Sequence, residues 1–246
     1  MKKHTDNATL THSFADFHIH ILPQTDDGAQ SVPESLAMFR CCAEQNIRRV
    51  VATPHFYPEE ESPQDFLARR SAAVEILRTA GLPQGITLYT GAEVAYYKGI
   101  GVSDEISKLC ITGTPYLLVE MPFEPWSDTV LSELFRLRYR MGLCPIVAHL
   151  ERYLPMQEKH IAERLADEDI LIQCNAGHLG DRPVRKLFSR GLVHLVGSDA
   201  HNLTDRVPDL ASGLNEAFSA VDSYLQDELE IRTNRILRDA IPAITT

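Results

Sequence analysis

Seven short apolar runs, each followed by a stretch of helical pattern, recur between Asp16 and Ser198, and this alternation restricts the fold more than any other feature of the chain. The runs are Asp16–His20, Arg49–Thr53, Ile86–Glu93, Tyr116–Met121, Pro145–His149, Ile170–Asn175 and Val193–Ser198. Several are apolar almost without a break, as in Val50-Val51-Ala52 and Leu117-Leu118-Val119. A strand buried on both faces of a parallel sheet reads this way. The stretches between them carry helix boundary signals. Ser31-Val32-Pro33-Glu34 is a capping box with proline in the first turn, and Ser62-Pro63-Gln64-Asp65 is a looser version. Gly81, Gly142 and Gly191 stand where left-handed C-terminal caps are expected. Alternating strand and helix is the pattern of βα units around a parallel sheet. About seven such units in 246 residues predict an α/β fold, a barrel, with an open sheet as the alternative. The expected organisation is a flexible N-terminal extension over residues 1–13, then a single barrel domain over 14–246. The helical tail from Arg206 to Thr246 is expected to pack on its outside.

The formal net charge of −10 argues against nucleic acid or a membrane surface as partner, since both require an extended basic face. A small anionic group remains open, because two arginines in a pocket suffice for a phosphate. Cys41, Cys42, Cys110, Cys144 and Cys174 are scattered, odd in number and without a CxxC pair. They read as reduced thiols of a cytoplasmic protein. Residues Met1 to Ser13 lack an apolar core, and no apolar run is long enough for a membrane span, so neither a signal peptide nor membrane insertion is expected.

The chemistry-bearing residues occupy one place in each unit. His18 and His20 close the first run, and His55 follows the second. Glu93 ends the third, Glu120 the fourth and His149 the fifth; Asp199 and His201 follow the last. Asp26 and Asp27 lie in the first loop, near the same rim. The C-terminal ends of parallel barrel strands converge on one face, where active sites form. Residues i and i+2 on a strand point the same way, so His18 and His20 can grip one ion, with Asp199 and His201 opposite. Imidazole and carboxylate, with no thiolate at a strand end, suit Zn, Mn or Fe. A carboxylate such as Glu93 can bridge two ions, and two ions roughly 3.5–4 Å apart can hold a phosphoryl group and activate water for in-line attack. A lone histidine is more often a core or surface residue. The full set has no such explanation, because charged side chains are rarely buried unless paired or metal-bound. The residues therefore point to a metal-dependent phosphoesterase. His4, His12, His160 and His194 fit no strand-end slot and read as ordinary; His178, in the loop after the sixth run, stays open.

Asp16-Phe17-His18-Ile19-His20 with Leu22-Pro23 and Asp26-Asp27-Gly28, Ala52-Thr53-Pro54-His55, Gly91-Ala92-Glu93, Ala148-His149-Leu150-Glu151-Arg152 and Ser198-Asp199-Ala200-His201 resemble the polymerase-and-histidinol-phosphatase (PHP) superfamily. Within it they look most like the bacterial protein-tyrosine phosphatases of capsule and exopolysaccharide operons. The likeness runs from about Asp16 to Arg206. It implies a distorted seven-stranded (β/α) barrel with two to three divalent metal ions, manganese first and iron, zinc or cobalt as the others. Carried over by motif, His18, His20, Glu93 and Asp199 would hold the first ion. Glu93, Glu120 and His149 would hold the second, and Asp27, His55 and His201 the third. Asp26 is the disfavoured member of its acidic pair by spacing from His20. Arg152 and Arg206 match arginines that bind the substrate phosphate. The implied activity is hydrolysis of phosphotyrosine in proteins, with a bacterial tyrosine kinase of polysaccharide synthesis as partner. Two departures are visible: Gln24 where glycine is common and Leu150 where proline is common. They bear on loop shape and substrate fit rather than on the ligands.

Cys42-Ala43-Glu44-Gln45-Asn46-Ile47-Arg48 satisfies CX5R, the signature of cysteine-dependent phosphatases. A phosphate-wrapping loop of that kind usually needs glycine, and this one has none. Leu36, Phe39 and Ala43 sit at helical spacing, so Cys42 reads as a buried helical cysteine. Three other readings compete with a tyrosine phosphatase. A small-molecule phosphatase such as histidinol phosphatase is disfavoured by the shorter loops and the Asp-Asp-Gly element. A metal-dependent amide or lactone hydrolase also starts with HxH on its first strand, but His55 and the closing Asp-x-His pair weigh against it. A non-catalytic metal-binding regulatory module is disfavoured by the complete ligand set.

Overall fold

In the computed structural model, which describes residues 14–219 and 222–246, each predicted run contains a strand and helices fill most of the gaps. The order is β1 (Ala15–Ile19), α1 (Val32–Glu44), β2 (Arg49–Ala52), β3 (His55–Phe56), α2 (Pro63–Ala80), β4 (Thr87–Thr90), β5 (Glu93–Ala95) and β6 (Tyr116–Glu120). Then come α3 (Asp128–Tyr139), β7 (Cys144–Val147), α4 (Ile161–Asp167), β8 (Leu171–Asn175), α5 (Arg182–Phe188), β9 (Leu195–Gly197), α6 (Leu210–Phe218), α7 (Ser223–Arg238) and β10 (Ile244–Thr245). The local signals act as read. The Ser31 side chain accepts from Glu34 N and the Ser62 side chain from Asp65 N, each ahead of a first-turn proline. Gly81, Gly142 and Gly191 have φ of 79°, 70° and 70°, a region that costs glycine little. The extension over residues 1–13, with His4 and His12, lies outside the described residues.

The ladders form two sheets. One has the order β1-β2-β4-β10, with β10 the antiparallel edge; the other, β3-β5-β6-β7-β8-β9, is parallel throughout. The second expected strand is followed, past Thr53-Pro54, by a separate short strand β3, and the third is cut in two at Gly91-Ala92. Pro54 has no N–H to give to a ladder. Glu93 therefore opens β5 rather than closing the run Ile86–Glu93, with its N–H on Pro54 O at 3.1 Å. At the other margin, Asp199 N donates to His18 O (2.7 Å) and His20 N to Ala200 O (2.9 Å), around an isolated bridge between Ile19 and Ala200. The architecture is thus mixed α/β around a curled parallel half-barrel in two sheets.

The curl is visible in the packing. Phe17, Val51, Tyr89, Leu118, Ile146 and Leu195, from six different strands, meet in one inner cluster. The other strand faces put Ile19, Val50, Leu88, Val119 and Ile172 into an outer cluster with Phe39 of α1, Phe66 of α2, Leu134 of α3 and Leu165 of α4. Each fully buried side chain of this size contributes roughly 1.5–3 kcal/mol. The tail departs from expectation. Ile236 and Leu237 of α7, with Ala240 beyond it, join the inner cluster, so the tail completes the core instead of only covering its outside. None of the described helices is long and apolar enough to cross a membrane.

Candidate metal centre

His18 lies on β1 and His20 one residue beyond it, both fully buried. The ladder between β1 and β2 shifts register between Asp16 and Ile19, a bulge of the kind that re-aims side chains next to active sites. Two glycines allow neighbouring chain to close on this strand. A Cβ on Gly197 would lie 2.5 Å from His18 Cβ, and one on Gly28 would lie 2.1 Å from His20 O. Buried Asp16 ties β1 to the end of β9, accepting from Ser198 N (2.9 Å), Ser198 Oγ (2.6 Å) and His18 N (3.2 Å). Burial pushes its carboxyl up to about 6 against these donors.

His18, His20 and Asp199 form one compact group of possible ligands, and Glu93 stands against both histidines. His18 Nε2 is 3.2 Å from His20 Nε2, 3.1 Å from Glu93 Oε2 and 3.4 Å from Asp199 Oδ1. His20 Nε2 is 3.2 Å from Glu93 Oε2 and 3.5 Å from Asp199 Oδ1. Ligands about 2.1 Å from a metal ion stand about 3.0 Å apart in an octahedron and about 3.4 Å apart in a tetrahedron. The observed edges match that spacing, so the donor set fits a divalent ion. The atoms left over agree: His55 Nδ1, Glu93 Oε2 and His201 Nε2 are among the buried atoms without a hydrogen-bond partner. Unsatisfied buried polar atoms are costly, and a cation would satisfy lone pairs aimed at one place. The electrostatics run the same way. Burial alone would raise the carboxyl of Glu93, yet facing histidines His18, His149 and His20 hold it well below the usual range. Asp199 is likewise held low against burial, chiefly by His18 and His20.

The other expected ligands surround this group. His149 Nε2 is 2.9 Å from Glu93 Oε1 and 3.6 Å from Glu120 Oε1, while His55 Nδ1 is 3.1 Å from Glu93 Oε2. His55, Glu93 and Glu120 form one compact group of possible ligands, and His20, Asp27, His55 and His201 another. Asp27 Oδ1 stands 3.3 Å from His201 Nε2 and 3.6 Å from His55 Nε2. Asp26 has a different place. Its Oδ2 accepts from His20 Nδ1 (2.7 Å) and His55 N (3.0 Å), which turns His20 Nε2 toward the cluster. Burial would raise the Asp26 carboxyl, yet His20 and the N–H groups of Gly28 and His55 lower it to about 2. Burial depresses His201 to about 4, aided by His20 and Arg206. The guanidinium groups of Arg152 and Arg206, both partly exposed, grip the two oxygens of Asp199, Arg206 at 2.6 Å. They line a pocket of about 180 Å³ with Asn175 and His178. On the other side of the mouth a cavity of about 580 Å³ is lined by Asp27, His55, Tyr57 and Arg69.

Of the histidines set aside as ordinary, two lie among the described residues, His160 and His194. His160 is exposed beside Glu163, and buried His194 accepts from Ile172 N through Nδ1 at 2.9 Å. His178 pairs with Asp181 on the surface, at the edge of the arginine pocket. Cys42 lies within α1, buried in the outer core, and burial pushes its thiol well up, away from nucleophilic use. Two functional candidates escaped the sequence reading. Gln173 and Asn175 are buried on β8 and bond to His18, His149 and Asp199. Their signal was present in Leu171-Ile172-Gln173-Cys174-Asn175, as two amides at i, i+2 inside a run otherwise apolar.

The chain matches the family model for capsular polysaccharide synthesis, CpsB/CapC, over residues 14–237. It is 32% identical over 208 residues to the tyrosine-protein phosphatase YwqE of Bacillus subtilis (strain 168), covering 78% of each chain. It is 29% identical over 219 residues to the tyrosine-protein phosphatase CpsB of Streptococcus pneumoniae, covering 78% of this chain and 85% of the other. Among solved structures, it superposes with TM-score 0.79 and 25% identity on a chain from the study of YwqE from Bacillus subtilis and CpsB from Streptococcus pneumoniae, described as unique metal-dependent tyrosine phosphatases. That match covers 92% of this chain and 95% of the other. A TatD family hydrolase from Entamoeba histolytica shares the fold alone, at TM-score 0.51 and 11% identity over 91% of this chain and 99% of the other.

Proposed function

Because the chain belongs to the CpsB/CapC family of capsular polysaccharide synthesis, we propose that it is a metal-dependent protein-tyrosine phosphatase, a phosphoric monoester hydrolase acting on phosphotyrosine in proteins. Its protein partner is then a bacterial tyrosine kinase of polysaccharide synthesis. The observation that carries this reading is the meeting of His18 Nε2, His20 Nε2, Glu93 Oε2 and Asp199 Oδ1 at ligand spacing, with two arginines on the rim.

The residues divide the work. His18, His20, Glu93 and Asp199 hold a first divalent ion. Glu93, Glu120 and His149 hold a second, and Asp27, His55 and His201 a third, manganese being the first choice among manganese, iron, zinc and cobalt. When bound, such ions supply Lewis acidity toward the phosphoryl oxygens and toward the attacking water. The protein orients the reacting group. Arg152 and Arg206 each carry five N–H donors, enough to keep a bond to Asp199 while the planar fork takes phosphate oxygens. Asp26 fixes the His20 ring through Nδ1. The exposed ring of Tyr57, stacked on His55 at 5.1 Å, stands in the wall of the larger cavity, where an aryl group can lie against it.

We read the fold as a distorted (β/α)7 barrel and residues 14–246 as one domain. The two hydrogen bonds between β1 and the Asp199–Ala200 segment support closure, and the single inner cluster supports the unity. The five free cysteines support a reducing, cytoplasmic location.

The test is metal analysis of the purified protein, then turnover of a phosphotyrosine peptide, histidinol phosphate and simple amides and lactones, with and without chelator. The expected result is at least two ions per chain, highest kcat/KM on the peptide, loss in chelator and recovery with Mn, Fe or Co. Full activity in chelator on metal-free protein would sink the mechanism. A preference for histidinol phosphate would move the substrate to small molecules.

A further inference from the structure

We infer that Gln173 and Asn175 form a two-amide relay that sets the ring of His18 and the carboxylate of Asp199 for metal binding; the inference rests on the metal-centre reading above. Both side chains leave β8 on one side, as residues i and i+2 must. Gln173 is fully buried and Asn175 nearly so. Gln173 Oε1 accepts from His149 N at 2.7 Å and faces His18 Nδ1 at 3.2 Å. Gln173 Nε2 donates to Asn175 Oδ1 at 2.9 Å, and Asn175 Nδ2 donates to Asp199 Oδ2 at 2.9 Å.

The chemistry at both ends fixes the direction of this chain. A backbone N–H can only donate, so the atom of Gln173 facing His149 N is its oxygen. An ionised carboxylate can only accept, so the atom of Asn175 facing Asp199 is its nitrogen. The amides between must then run oxygen to nitrogen in one order, and neither can flip alone without opposing two like groups. The direction reaches the ring of His18. Its Nδ1 faces an acceptor, so in the neutral ring Nδ1 carries the hydrogen and Nε2 the lone pair. Nε2 is the atom that meets His20, Glu93 and Asp199. Outer partners of this kind orient a histidine ligand and hold its tautomer, and their loss weakens metal binding about 10- to 100-fold. The relay also reaches the backbone of His149, whose φ of 33° L-residues rarely adopt. One pair of amides thus serves candidate ligands carried on three separate strand positions. Packing alone does not require it, since a strand buried here would be filled as well by leucine and valine.

The experiment uses the full chain and the variants Gln173→Met, Asn175→Leu and Gln173→Glu. Mn(II) affinity is measured by competition with a chelator, and the His18 tautomer by imidazole 15N shifts in the metal-free protein, at a pH where the ring is neutral. Gln173→Met and Asn175→Leu should each bind manganese about 10- to 100-fold more weakly than the parent. Gln173→Met should also lose the single Nδ1–H form of His18. Gln173→Glu keeps the oxygen and should keep that form. Parental affinity in both Gln173→Met and Asn175→Leu, or an unchanged His18 tautomer in Gln173→Met, would overturn the relay. If Gln173→Met does not fold, Asn175→Leu decides alone, and parental affinity there overturns it. A parent that binds no manganese, iron, zinc or cobalt would bring down the metal centre itself and the relay with it.

Discussion

Arg152 and Arg206 hold the two oxygens of one buried carboxylate, Asp199, from opposite loops, and each remains partly open to the pocket beside it. Guanidinium has no lone pair to offer a metal, so their loss should leave metal content unchanged. A charge-assisted bond to phosphate is worth about 1.5–3 kcal/mol, which converts to roughly a ten- to hundredfold fall in kcat/KM for Arg152→Ala or Arg206→Ala. Lysine at either place should restore part of it, being a point charge without the fork. Metal analysis alongside phosphotyrosine-peptide kinetics checks this, and metal lost together with activity would make the arginines supports of Asp199 instead. At this scale the sequence was most legible where chemistry needs rare residue types at fixed spacing. The histidines and acids of the strand ends met that condition, and the structure brings them together. Gln173 and Asn175 are neutral amides, common on any surface, and only their neighbours on β8 marked them as buried. Gln24 shows the reverse case. It was visible as a departure from glycine, and its φ of 56° supplies the physical reason that glycine suits the position.

Helix boundaries were readable because caps are local; Ser31, Ser62 and Gly81 bond within their own few residues. The breaks between β2 and β3 and between β4 and β5 were not. An apolar run records burial, whereas a strand needs ladder partners, and those are set across the sheet. The close approach of β9 to β1 is likewise nonlocal, and it depends on Gly197. A methyl group there would lie 2.5 Å from His18 Cβ and 2.8 Å from His18 N, so backbone would have to move. Overpacking of this kind costs about 1–3 kcal/mol. Gly197→Ala should therefore lower the urea midpoint and weaken manganese binding together. Gly177→Ala is the control, since its only neighbour would be a side-chain oxygen of Asp209 at 3.5 Å, and it should change neither. Parental stability and affinity in Gly197→Ala would show that the approach of the two strands is not tight.

For the molecule as a whole, acid should act partly through His194, a residue with no place in the centre. It is buried between β8 and α7, with Nδ1 accepting from Ile172 N and the Arg232 guanidinium on its own carbonyl. Burial, helped by Arg232, lowers its pKa from 6.5 to about 4. Between those values the unfolded chain binds the proton and the folded chain does not. Stability from this group is therefore whole above about pH 6.5 and lost as pH falls toward 4, by about 3 kcal/mol in all. Asparagine can accept from Ile172 N in place of Nδ1 and cannot titrate. The stability difference between His194→Asn and the parent, followed by urea unfolding in chelator, should shift in the variant's favour across that window. A difference flat with pH would remove His194 from the acid response. The same global view gives the seam between the two sheets a meaning. One sheet brings His18 and His20, and the other brings His55, Glu93, Glu120 and His149 by way of its strands and the loops after them. The first and third ligand sets each draw on both sheets, and the second comes from one alone. A chain with only one sheet assembled can offer an incoming ion the second set at most, so capture at the first and third positions requires the seam to be closed.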